Sequence, residues 1–138
     1  MKAEQSSVYR HLEMLHLWCL DTLDNAPKNP CVQEDVRILV NAVVEAQVAV
    51  HWALMTEALS QRLDFLDVVV MNMTKVKTIT KVLSEYSSDV ERGKHVISKK
   101  GRVRLLDIMS QIGNELGRWR NSTIRQMTKS NAADTLPN

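Results

Sequence analysis

Only four glycines and three prolines interrupt these 138 residues, so few tight turns are available and the elements between them must be long. Between the breaks, apolar residues recur at steps of three and four, the spacing of one helix face. A first helix is predicted from a cap at Ser6 or Ser7 through Val8, Leu12, Leu15, Cys19 and Leu23, ending at Asn25-Ala26-Pro27. Pro27-Lys28-Asn29-Pro30 is a stiff link, and Pro30 suits the first turn of a second helix. That helix reads Val36, Leu39, Val40, Val43, Val44, Gln47, Val50 and Leu54 and is expected to end near Leu59, with Ser60 capping the third. The third continues through Leu63, Leu66, Val70, Met73, Val76 and Leu83; its β-branched run Val68-Val69-Val70 could pass for a strand, but the stripe persists for about twenty residues without a break. Polar residues from Ser84 to Gly93 form a hinge. Ser98 then precedes a fourth helix with Leu105, Met109, Ile112, Leu116 and Trp119 on one stripe.

Four such segments predict an all-α, antiparallel up-down four-helix bundle over residues 1–130, with a frayed tail over 131–138. The stripes on helices two and three are wider than one core needs, which predicts a homo-oligomer or a second partner. The most apolar stretch, Val68–Met73, is interrupted by Asn72 and falls far short of the ~20 residues of a membrane span. With no secretory signal pattern at the start, a cytoplasmic protein with no membrane partner is expected. The two cysteines, Cys19 and Cys31, lack ligand spacing and read as buried, free thiols.

Net charge is only +2, but it is unevenly distributed. Residues 1–91 carry 13 acids and 8 bases, whereas 92–129 carry 10 bases and only Asp107 and Glu115. An anionic partner, RNA or DNA, is the expectation. Lys94, Lys99, Lys100, Arg102 and Arg104 gather at the start of helix four, and Arg118, Arg120 and Arg125 surround Trp119 about 24 Å further along at the helical rise. Lys75, Lys77 and Lys81 lie in the second half of helix three, which an antiparallel hairpin brings near the first group. Such a surface tracks phosphates with little sequence preference.

Gly113 and Gly117, four apart, share a face of helix four, and two glycines inside a helix call for a packing reason such as a close helix crossing. The histidines His11, His16, His51 and His95 give no paired metal-ligand step beyond Glu13 with His16, so no metal is expected. No phosphate-binding glycine loop, dinucleotide turn or nucleophile elbow occurs, and no inward charged constellation is apparent, so neither an enzyme nor a cofactor is expected. Trp18, Trp52 and Trp119 read as core or interface anchors.

Helix four also carries a signature. Ile97-Ser98-Lys99-Lys100, then Leu106, then Gln111-Ile112-Gly113-Asn114-Glu115-Leu116-Gly117-Arg118-Trp119 resembles the closing segment of the small four-helix bundle family. That family includes the accessory variability determinant of diversity-generating retroelements and the proteins encoded in ribosomal-RNA intervening sequences. Leu17-Trp18, Pro27-Lys28 and Arg37-Ile38 resemble its first helix and the link that follows. The resemblance implies a ring-like homopentamer that binds a partner reverse transcriptase and its structured template RNA, with no catalysis by the bundle. By the same likeness the basic residues of helices three and four form the nucleic-acid surface, while Gly113, Leu116, Gly117 and Trp119 carry packing. An intervening-sequence-type bundle with another partner, and a small helical enzyme with a site between helices, are the alternatives.

Overall fold

The computed structural model describes residues 3–26, 28–85, 87–89, 94–95 and 97–135, with side chains described for 7–22, 24, 26, 28–85 and 97–131. It is an all-α four-helix bundle, α1 (Ala3–Asn25), α2 (Pro30–Met55), α3 (Leu59–Glu85) and α4 (Lys99–Thr135). A two-stranded ribbon, β1 (Ser87–Asp89) paired with β2 (Lys94–His95), occupies the polar hinge between α3 and α4.

The helix ends follow local chemistry. Asn29 is extended, and its side chain accepts the Cys31 N–H at 2.9 Å, so Pro30 occupies a first-turn position where no amide hydrogen is needed. Ser98 plays the same part for α4, its hydroxyl accepting the Gly101 N–H at 3.0 Å. α1 differs from expectation: it begins at Ala3, because Ala3, Glu4 and Gln5 are good helix formers, and Ser7 lies inside the helix. α2 also ends sooner than Leu59. Thr56 turns extended, its carbonyl accepts from the Arg62 guanidinium at 2.9 Å, and the Arg62 N–H closes on the Ala58 carbonyl. Ser60 therefore falls within the first turn of α3 and not at its cap. Val68-Val69-Val70 is helical, as the longer stripe requires. α4 continues through Thr135, beyond the expected boundary at 130; residues 136–138 and Gly93 lie outside the described residues.

The core runs the length of the bundle: Val8, Leu12 and Leu15 from α1, Val36, Leu39 and Val43 from α2, Leu66, Val76 and Leu83 from α3, and Leu105, Ile112 and Leu116 from α4. Ala42, Ala46, Ala49 and Ala53 line one buried stripe of α2, and side chains that small let a neighbouring helix approach closely. α2 with α3 is the most extensive helix pair. Among the described residues α2, rather than the neighbourhood of Val68–Met73, is by length and composition alone apolar enough to cross a membrane, a property also found in core helices, and α2 packs between α1 and α3. Cys19 is buried, and burial pushes its thiol up to about 12; Cys31 is exposed, contrary to expectation, because it lies in the first turn of α2 facing outward.

Candidate functional site

α4 packs against α1 on one flank and α3 on the other, so its side chains divide by their angle around the helix. The basic residues at its start are all exposed, and among the described residues none of Lys99, Lys100, Arg102 and Arg104 is ion-paired. They do not share one face. Arg102 joins Lys77 and Lys81 around a hollow of about 340 Å³ between α3 and α4, closed below by Leu106 and Met109. Lys100 and Arg104 line a separate cleft of about 470 Å³ toward α1, beside Trp18 and Asp21. Lys75, only two residues before Lys77, lies about 200° around α3 from it and lines neither hollow. The end of the bundle thus presents cations on both flanks of α4.

The second basic group is divided in the same manner. Arg120 faces α3 and donates its Nε to Asp67 at 2.9 Å across the flank, so its charge is partly engaged, while Arg118 and Arg125 are exposed away from it. The Lys94 side chain lies outside those described.

Leu116 and Trp119 pack in the core as expected, but Gly113 and Gly117 do not mark a crossing within the chain. Both are exposed, and a Cβ at either position would meet nothing within 4 Å. They floor an open trough of about 440 Å³ whose apolar walls are Val70 and Met73 from α3 and Leu106 and Met109 from α4. By contrast, Gly101 is close to its surroundings, a Cβ there standing 3.0 Å from the Ser98 hydroxyl and 4.0 Å from the Trp18 ring.

The α1 flank holds what sequence reasoning missed. Glu115 is 7% exposed, and one carboxylate oxygen accepts from the Ser7 hydroxyl at 2.9 Å and lies 2.9 Å from His11 Nδ1. Its other oxygen is buried without a hydrogen-bond partner. The signal was present, since Glu115 follows Ile112 by three and precedes Trp119 by four, on the inward stripe. The Ser7 hydroxyl donates to the carboxylate and lies 3.5 Å from His11 Nδ1, so the trio ties α1 to α4. Asn72 is likewise fully buried on α3, its amide donating to the Val68 carbonyl at 3.0 Å. Trp52 stands half exposed on α2, edge-on to His51, away from the core. Among the described residues no three His, Cys, Asp or Glu side chains converge.

Compared with protein-family models, with curated proteins and with solved structures, the chain matches none.

Proposed function

We propose that this chain is a non-catalytic accessory protein of a diversity-generating retroelement, a cytoplasmic scaffold that holds a reverse transcriptase and its structured template RNA together during mutagenic complementary-DNA synthesis. In this reading the four helices run up and down in antiparallel order and the bundle assembles as a ring-like homo-oligomer. Two pairs of contacts support the antiparallel order: Ser7 meets Glu115 while Trp18 lies over Gly101, and Asp67 meets Arg120 while Thr80 lies beside Arg102. The resemblance of α4 to the family signature supplies the retroelement.

The observation that carries the reading is the start of α4, where Lys99, Lys100, Arg102 and Arg104 stand exposed within two helical turns with no acid among the described residues paired to them. Cations on both flanks of one helix suit a phosphate backbone that bends around the end of the bundle, meeting charge without reading bases. Lys81 extends the surface onto α3. Changing all four residues of α4 to glutamate is expected to abolish binding of a structured RNA at physiological salt while circular dichroism stays unchanged. In single variants, the slope of log affinity against log salt should become shallower by roughly 0.7 to 0.9 for every phosphate no longer neutralised. Unchanged affinity would overturn the placement, and a reverse-transcriptase gene beside this one with an adenine-mutagenised repeat is the genomic counterpart to seek.

A further inference from the structure

The trough between α3 and α4 has a matching surface elsewhere on the same molecule. On the outward face of α1, Glu13, Leu17, Leu20 and Asp24 follow one another at steps of four, three and four, so they form a single stripe. Leu17 is 64% exposed, Met14 and Leu20 flank it, and both carboxylates face outward. A stripe of leucines ending in acids is unusual on a surface helix, whose outer face is ordinarily polar.

The trough carries the complement. Its walls are apolar, and its glycine floor admits another backbone closely, with none of the described residues in that space. Lys77 stands toward one end and Arg120 at the other. Arg120 lies against Asp67, ten residues before Lys77 on α3, so the two cations are about 15 Å apart along the trough at the helical rise. Glu13 and Asp24 are about 16 Å apart by the same measure. Arg120 gives its Nε to Asp67, which leaves its terminal nitrogens for a second carboxylate.

We infer that the outer face of α1 of one copy docks in the α3–α4 trough of the next, Leu17 and Leu20 over Gly113 and Gly117, with Glu13 and Asp24 meeting Lys77 and Arg120 at the ends. The inference deepens the oligomeric part of the reading above by naming both surfaces. Charge favours this contact over a symmetric one: two troughs face to face about their middle would set Lys77 of each copy against the Arg120 end of the other, whereas the α1 stripe brings a carboxylate to each of these cations. A contact between two different surfaces leaves one of each unused and therefore propagates, closing into a ring or extending as a filament.

Two variants test it by sedimentation velocity at micromolar concentration without RNA, so the outcome is independent of the RNA-binding reading. Leu17→Lys spoils the stripe and Gly117→Leu fills the trough, both at exposed positions where circular dichroism should be unchanged. Wild type is expected to assemble and each variant to sediment as a monomer. Mixed in equal amounts, the variants should form a heterodimer and nothing larger, since one intact trough then meets one intact stripe. The charge swap Glu13→Lys with Lys77→Glu in one chain should regain assembly that either change alone weakens. A monomeric wild type, assembly by either single variant as by wild type, or a mixture that stays monomeric would overturn the proposal.

Discussion

The two flanks of α4 solve opposite problems with the same helix. Toward α1 the middle of the interface is filled, with Glu115 buried between Ser7 and His11, and the cleft beside Trp18 is confined to the start of α4. Toward α3 it is open: two exposed glycines floor a trough, and one exposed ion pair, Asp67 with Arg120, bridges its rim. The difference teaches that a helix packed to a similar extent against two neighbours can fill the middle of one flank and leave the other open. The other side is then available for a surface that packing within the chain does not dictate.

Mutations can break that contrast, beginning with the largest effect. Trp119→Ala removes a buried indole from the core and should cost about 3 to 5 kcal/mol in urea denaturation. Glu115→Ala unties α1 from α4 by removing the acceptor of Ser7 and His11, with an expected destabilisation of about 2 to 3 kcal/mol. A change under about 0.5 kcal/mol would mean that the filled flank is held by apolar contacts alone. On the open flank the sign reverses. Gly113→Ala and Gly117→Ala add a Cβ with no described atom within 4 Å, so each should stabilise the isolated monomer by about 0.5 to 1 kcal/mol through helix propensity. A destabilised monomer would show that the trough is closed in solution. Smallest of all, Asp67→Asn should shift stability by under about 0.5 kcal/mol, and by less at high salt, because the pair with Arg120 is half exposed on both sides.

How much of this was legible in the sequence differs between the flanks. The stripes of Val8, Leu12 and Leu15 and of Leu105, Ile112 and Leu116 were read correctly from the period of three and four, but on α3, apolar on several sides, Val70 was read inward where Val69 is buried. Ser98 and Pro30 announced their helix starts by side-chain chemistry. Ser7 did not, since a serine near a chain's first helix reads equally well as a cap or as an interior residue, and a partner 108 residues away decided it. Glu115 stood in the inward stripe, but only tertiary contact distinguishes a buried carboxylate from a solvated one. For the glycines, spacing shows that two of them share a face, but nothing in spacing says which neighbour that face meets, and among the described residues it meets none. The basic residues were found by composition, yet their division between the two flanks depends on angles around α4 that a run of lysines and arginines does not display.

The contrast between the two cysteines has a practical outcome. The chain holds two, and only Cys31 is exposed, while the thiol of Cys19 is pushed up to about 12 by burial. A maleimide dye at neutral pH should therefore label one position per unmodified chain, a stoichiometry that mass spectrometry checks. Every copy would carry its reporter at the first turn of α2. Energy transfer between neighbouring reporters then distinguishes geometries: a closed ring repeats a small set of spacings, whereas an open filament adds a longer one with each subunit.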